Sequence, residues 1–260
     1  MSKPYFVTLP NRGLITVTGA DKISFLQGLV SNDVTKLPRQ KIQYSCLLTP
    51  QGKFLHDFFL HHIDDDKILI ECEGQNRAAD LHNRLSRYKL RSDVNLSLEE
   101  NVQVFALLNA EETSHNDPRH YRLGKRVFDR PINALEEGFI EWDKERILLG
   151  IPDGSRDMVV EKSTMLECGL DKFNAIDWDK GCWMGQELTA RMKYRGLGKK
   201  HLRAIQFKTP PAPAPFTPLE INAKVIGEMR SSCADIGLAL IKDEYLELIK
   251  NEQDFIRILG

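Results

Sequence analysis

The sequence has no Cys-x-x-Cys pair. Its five cysteines, Cys46, Cys72, Cys168, Cys182 and Cys233, are odd in number and widely spaced. A zinc site or a dithiol redox centre of the usual spacing is therefore excluded, and no metal is expected. No apolar run approaches the roughly 20 residues that span a bilayer, so no membrane association is expected. The start, Met1-Ser2-Lys3-Pro4-Tyr5, carries one basic residue and no long apolar core. It reads neither as a secretory signal nor as an arginine-rich transit peptide, which leaves a cytoplasmic protein as the expectation. Charge of one sign is lacking as well: 36 Lys and Arg face 37 Asp and Glu, a net charge of −1. No overall field draws such a chain into a stable nucleic-acid complex or onto anionic lipid. There is no internal repeat, and the one biased segment is a proline run.

What is present is an ordinary globular composition, 42% hydrophobic and 28% charged over 260 residues. That suffices for one large domain or two smaller ones with a real core. Leu14 to Thr18 is β-branched, stops at Gly19 and suits a strand. Asp21 stands at a helix N-cap position, and Ile23, Leu26, Leu29 and Val30 follow at helical spacing. Residues 43–72 read as three strands, with turns at Pro50-Gln51-Gly52 and Asp64-Asp65-Asp66. Leu81, Leu85 and Tyr88 mark a helix ending near Leu90. Two strands follow at Val94–Leu98 and Val102–Leu108, then a polar loop from Glu111 to Arg122 and a short helix from Trp142 to Leu149. The run Thr209-Pro210-Pro211-Ala212-Pro213-Ala214-Pro215 favours an extended spacer. Residues 1–203 are thus expected to form an α+β body, 204–215 a proline-rich linker, and 216–260 a small all-β module.

The chemistry concentrates between Asp177 and Arg203, in DWDKGCWMGQELTARMKYRGLGKKHLR. Gly181 and Gly185 bracket Cys182, and glycine there allows positive φ or close approach of another group. Gln186 to Tyr194 is rich in helix formers, so Cys182 precedes a helix N-terminus, where a thiolate is stabilised. Lys180 adds a positive charge two residues away. Against this stands the ordinary fate of a free cysteine, an inert packing residue. Glu187 and Arg191 share a helix face, either as a surface ion pair or as a ligand's acceptor and anion holder, with Gln186 hydrogen-bonding beside them. Arg195, Lys199, Lys200, His201 and Arg203 form a basic cluster that is either solvated or suited to an anionic tail or RNA backbone.

The run Lys180-Gly181-Cys182-Trp183-Met184-Gly185-Gln186-Glu187, followed by Thr189-Ala190-Arg191 and Tyr194-Arg195-Gly196, closely resembles the YgfZ family. More distantly the chain is similar to the glycine-cleavage T-protein, a tetrahydrofolate-dependent aminomethyltransferase. The resemblance extends through Gly19-Ala20-Asp21, Phe25 to Leu29, Asn32-Asp33-Val34, Tyr44 to Lys53, Tyr88 to Arg91, Asp117-Pro118-Arg119 and Gly150-Ile151-Pro152. It covers most of residues 13–203 and is weak beyond them.

The resemblance implies a T-protein-like cloverleaf body enclosing a folate pocket, with a small C-terminal β-barrel. It implies a folate-dependent accessory protein for assembly or repair of iron–sulfur clusters in four-iron enzymes, including radical-SAM tRNA-modifying enzymes. Tetrahydrofolate or a related folate is the implied cofactor, and iron–sulfur enzymes or assembly proteins are the implied partners. Carried over by position, Cys182 and Lys180 are the functional pair, and Gly181, Gly185, Gln186, Glu187 and Arg191 the folate-binding residues. Asp57 stands where the T-protein has a paired-acid hairpin, but its neighbour here is His56, not a second acid. No complete acid–base constellation is visible. A folate-dependent one-carbon transferase acting through Asp57, and a non-catalytic scaffold, stand as alternatives.

Overall fold

β4 (Phe54–His62) anchors the largest sheet, paired to β3 (Ile42–Leu48) and β5 (Ile68–Glu73). The sheet continues through β2 (Arg12–Thr18) and β6 (Asn95–Leu98), all antiparallel, in the order β3-β4-β5-β2-β6. The computed structural model describes residues 3–111, 115–251 and 255–259. Residues 112–114 of the expected Glu111–Arg122 loop, 252–254 and 260 of the expected C-terminal module, and the first two residues lie outside these.

Every residue of β3 and all but the last of β4 are buried, because both faces of this hairpin are covered. On one face, Phe58 and Leu60 meet α1 (Lys22–Gln27) through Leu26 and α3 (Asn76–Tyr88) through Leu81 and Leu85. The spacing of Ala78, Leu81 and Leu85 makes α3 a one-faced helix that can only bury that stripe. On the other face, Tyr44, Phe54 and Phe59 pack with Met158, Met165, Leu170 and Trp183. The short helix α2 (Leu37–Gln40) leads into β3.

A second sheet runs β8 (Lys125–Val127), β7 (Val104–Leu108), β1 (Tyr5–Leu9), β9 (Leu135–Glu137), and β1–β9 is its parallel pair. Its core takes Trp142 from α4 (Phe139–Leu148). Helix α5 (Gln186–Arg195) then leads into the third sheet, of order β11-β12-β13-β10-β14. The strands are β10 (Lys200–Phe207), β11 (Pro218–Ile221), β12 (Lys224–Cys233), β13 (Ile236–Lys242) and β14 (Ile256–Ile258). This sheet curls over its own core, which includes Ile249 of α6 (Leu246–Asn251). Three sheets, the first with a core on each face, give the expected α+β body with a small curled C-terminal β-module.

Three local expectations change. The first helix stops at Gln27 instead of running on to a close at Asn32-Asp33, because Gly28 caps it and Val30 bridges Leu47. Asp21 makes no side-chain cap; its carboxylate accepts from the Asp93 amide at 2.8 Å instead. Residues 204–207 are strand rather than linker: β10 pairs with β13 and β14 along its length, so the third sheet takes up the chain at Lys200.

The third sheet is locked to the rest by one arginine. Arg146 is fully buried, and its guanidinium reaches Asp143 Oδ1 at 2.6 Å, Asp157 Oδ2 at 2.7 Å, the Ile151 carbonyl at 3.0 Å and Ser231 Oγ of β12 at 2.7 Å. The Asp157 carboxylate also accepts from the Ser231 amide at 2.8 Å. Removing one partner of such a group strands the others without water. Arg146→Met should therefore cost about 3–5 kcal/mol, as breaking a buried ion pair does. A thermal melt reads this, and an unchanged midpoint would contradict the lock.

Candidate functional site

The first and second sheets meet over a buried knot of charge. Glu71 on β5 accepts from Arg12 Nε at 2.9 Å, from Arg126 Nε at 2.7 Å, and again from Arg126 Nη2. Its other neighbour is His61 Nε2 at 3.2 Å. Arg126 on β8 also reaches Asp117 at 3.0 Å, and Asp117 holds Arg119 through Nε at 3.0 Å and Nη2 at 2.8 Å. Burial alone disfavours the charged Glu71, but Arg126 and Arg12 overcome it and hold the carboxyl well below the usual range. Asp117 is lowered in the same way, burial being outweighed by Arg119 and Arg126. The guanidiniums of Arg126 and Arg119 lie 3.9 and 4.8 Å from the Phe59 ring centre, and Arg119 lies 5.2 Å from that of Tyr44. The segment expected to be a polar loop is thus, at Asp117 and Arg119, part of the interior.

Asp57 sits beside this knot and behaves oppositely. It is buried and accepts from the Tyr44 hydroxyl at 2.7 Å. Its pKa is raised, because burial outweighs the Tyr44 hydrogen bond and the pull of Arg12 and Arg119, and Asp153 adds repulsion. His56 lies one residue away, on the opposite side of the pleat, bonded to Asp80 at 2.8 Å. Burial and Arg77 hold its pKa at about 4, so at neutral pH it is an uncharged imidazole.

Tyr44 connects Asp57 to a cleft of about 560 Å³. Flat and apolar walls come from Tyr44, Ile42, Pro118, Ile176 and Trp178, and side-chain amides from Asn32, Gln40, Gln43, Asn116 and Asn174. Asn32 is itself fixed, donating to the carbonyls of Tyr44 at 2.9 Å and Asn174 at 2.8 Å. Gln43 is only 2% exposed; its nitrogen donates to the Asp33 carbonyl at 2.8 Å, and its Oε1 has no partner. A buried acceptor without a donor is costly. The charged lining is Lys36 paired with Asp177, and Asp179.

The Cys182 loop starts where the cleft wall ends. Lys180 is buried, and its ammonium donates to three carbonyls, those of Gln27, Val30 and Asn32, each at 2.7 Å. All three of its protons are spent closing the end of α1, so the geometry makes it a clasp rather than a partner for the sulfur. The Met184 amide donates to the Gly28 carbonyl at 3.1 Å, and Trp183 is sunk in the core. Gly185 has φ of 85°; a Cβ there would sit 2.7 Å from the Thr49 carbonyl oxygen and 2.8 Å from Leu48 Cβ. Gly52 in the facing turn is equally tight, its Cβ position 2.9 Å from the Gly185 oxygen. Gly181 has open space. Held at these points, Cys182 is exposed, while Cys46, Cys72, Cys168 and Cys233 are buried. Burial raises the pKa of all four, those of Cys72 and Cys168 to about 12.

The structure therefore separates the expected site residues. Cys182, Lys180, Gly181 and Gly185 share one loop. Asp57 stands behind Tyr44. Gln186, Glu187 and Arg191 lie on α5 and do not line the cleft; Glu187 and Arg191 form a 4.0 Å pair with side chains 87% and 52% exposed. Within the basic cluster, His201 and Arg203 are bound to Asp243 at 2.8 and 3.0 Å. Missed by the sequence reading were Gln43, Asn174 and Trp178. The last had a signal, an aromatic two residues before the Lys180 motif.

Comparison with known proteins bears on this arrangement. The sequence profile described as the GCVT N-terminal domain matches residues 10–109. In fold the chain is similar to the glycine cleavage system aminomethyltransferase T of Bartonella henselae, with a TM-score of 0.71 over 94% of this chain and 80% of that one, at 14% identity. That defines the class of fold, the T-protein one.

In sequence the chain is similar to the mitochondrial iron–sulfur cluster assembly factor IBA57 homolog of Neurospora crassa, 33% identical over 75% of this chain and 52% of that protein. It is also similar to mitochondrial IBA57 of Homo sapiens, 28% identical over 92% of this chain and 78% of the relative. The chain thus spans about half the length of the Neurospora protein. The cytoplasmic expectation is corrected here: these relatives are named as mitochondrial. Among the described residues no helix is long and apolar enough to cross a membrane, and no group of three or more His, Cys, Asp or Glu could hold a metal ion.

The loop geometry predicts unequal glycines. Gly185→Ala should lower the melting midpoint clearly, by more than the ~1 kcal/mol of an ordinary Gly→Ala change, since both φ and contacts oppose a Cβ. Gly181→Ala should leave the midpoint nearly unchanged. Equal effects in thermal melts would show that the loop is not seated as described.

Proposed function

We propose that this protein is a folate-binding accessory factor for iron–sulfur cluster assembly in mitochondria. Its cleft takes the pterin ring, and Cys182 serves as the functional thiol. The observation that carries the reading is the cleft itself, walled by the flat side chains of Tyr44 and Trp178 and lined by Gln43 and neighbouring amides. A pterin is flat, with polar ring nitrogens along its edge, and suits a recess with aromatic walls and an amide lining. Asn32 and Asn174 are tied into the wall by hydrogen bonds to the Tyr44, Asn174 and Pro118 carbonyls, so the recess is held in shape, and its volume is within the range of small-molecule sites. The residues present fit the ligand.

The chain's own groups do the rest. Tyr44 presents a ring to the cleft while its hydroxyl satisfies Asp57. Arg119 and Arg126, tied down by Asp117 and Glu71, hold Tyr44 and Phe59 in place from behind. Lys180 fixes the loop that presents Cys182 to solvent beside the cleft wall. When bound, the folate supplies a one-carbon acceptor or donor. The names of the similar mitochondrial proteins support cluster assembly as the process; four-iron enzymes, including radical-SAM tRNA-modifying enzymes, are the clients that the resemblance of the Lys180–Glu187 motif implies. Aminomethyl transfer is less well supported: of the hairpin pair only Asp57 is an acid, and His56 faces Asp80 on the other side of the sheet.

Titration calorimetry with tetrahydrofolate tests the binding step. The intact chain should bind, and Gln43→Leu should weaken binding by about tenfold, the worth of one well-made hydrogen bond with its desolvation. Cys182→Ala should bind folate yet fail to restore cluster-dependent enzymes in cells lacking the protein. No heat at millimolar ligand, or full rescue by Cys182→Ala, would overturn the proposal.

A further inference from the structure

Helix α3 ends on a strained residue. Its C-cap is Lys89, and Leu90 follows with φ of 44°, in the left-handed region. That position after a helix usually holds glycine or asparagine, because a bulky side chain there is strained. Leu90 is also 89% exposed, so a second cost is added, an apolar side chain standing in water. Neither cost is offset within the fold, since Leu90 joins none of the hydrophobic cores. Cations surround it. Arg87 and Arg91 are exposed and Lys89 is half-buried, and among the described residues none of the three forms an ion pair. Arg84, one turn earlier, is by contrast held by Asp80 at 2.7 Å. Leu90 and Arg91 line one open hollow of about 690 Å³ with Asp21 and Ser92, so the leucine and a free guanidinium share a face. The acids nearby, Asp21 and Asp93, both accept from backbone amides, Asp21 from Asp93 at 2.8 Å and Asp93 from Ala20 at 3.4 Å. Cations at a helix C-terminus complement its dipole, which accounts for Lys89 without any ligand. It does not account for a strained leucine in the open.

From this we infer that the end of α3 is a docking tip for an anionic phospholipid surface, with Leu90 entering the acyl boundary and Arg87, Lys89 and Arg91 lying among the headgroups. The half-exposed Tyr88 beside them is the amphipathic kind of ring that settles at headgroup level. This inference goes beyond the folate reading and does not depend on it. A lone apolar knob among cations needs no preformed complement in a bilayer, whereas a protein partner would need an acid-rimmed pocket of matching shape. The net charge of −1 does not oppose such a contact, because surface potential falls off within a Debye length, about 8 Å at physiological salt, and is felt by the local charges. Among the described residues no helix is long and apolar enough to cross a membrane, and a tip of this kind lies on the surface without crossing. One leucine and three cations make a weak, reversible anchor.

Co-sedimentation of the full chain with vesicles tests this, using phosphatidylcholine alone and an equal mixture of phosphatidylcholine and phosphatidylglycerol. At low salt the chain should bind the anionic vesicles and leave the neutral ones nearly bare. Binding should fall as salt is raised, since exposed charges are screened. Arg87→Gln/Arg91→Gln should weaken it by about tenfold or more, each cation near an anionic surface being worth about fivefold. Leu90→Gly is the sharper variant. Glycine suits the left-handed position, so the melting midpoint should stay level or rise while vesicle binding weakens by about tenfold. A Leu90→Gly protein that binds as tightly as wild type overturns the inference, and so does an unchanged affinity in the double variant. A wild type that fails to sediment with the anionic vesicles at low salt also overturns it, and makes an acidic protein surface the occupant to seek.

Discussion

Everything near the cleft depends on keeping several arginines charged inside the protein. Glu71 and Asp117 make this possible. They join β5, β8 and the segment before α4 through Arg12, Arg126 and Arg119, with Phe59 and Tyr44 packed against the guanidinium planes. A buried charge is costly unless paired and hydrogen-bonded, so each guanidinium here is held where its carboxylate stands. Pro118, which lines the cleft, sits between the two residues of the Asp117–Arg119 pair, so one cleft wall is placed by the charge knot. Tyr44, the opposite wall, is placed by the same arginines and by Asp57.

The Cys182 loop uses a different device for the same end. Lysine 180 reaches across about 150 residues of sequence to collect the carbonyls at the end of α1. One belongs to Gln27 at the end of the helix and two to Val30 and Asn32 in the turn that follows, and an ammonium with three donors is a good complement for them. Gly185 and Gly52 then let the loop and the β3–β4 turn approach to backbone contact. The outcome is one solvent-facing sulfur on a firmly seated loop that follows directly from the wall of an amide-lined cleft. Neither half has an obvious structural purpose without the other.

Much of this was legible in the sequence where the signal is local. The β3–β5 meander, the α5 helix and the glycine-bracketed cysteine all follow from apolar periodicity and turn residues, and the T-protein-like fold follows from the resemblance. What was not legible depends on pairing between distant segments. Lys180 read as an electrostatic partner of Cys182, because only its sequence neighbours were visible. Arg119 and Asp117 read as a polar loop, because two opposite charges two residues apart look solvated until a ring and a second arginine close over them. The start of the third sheet was misplaced for the same reason: β10 is defined by β13, about thirty residues downstream, and not by its own composition.

The most direct measurement is a structure of the full chain determined with tetrahydrofolate. The account predicts the pterin between Tyr44 and Trp178, with a ring N–H directed at Gln43 Oε1, Lys180 still holding its three carbonyls, and Cys182 still open to solvent. A ring bound elsewhere on the protein, or a cleft left empty at saturating ligand, would contradict it.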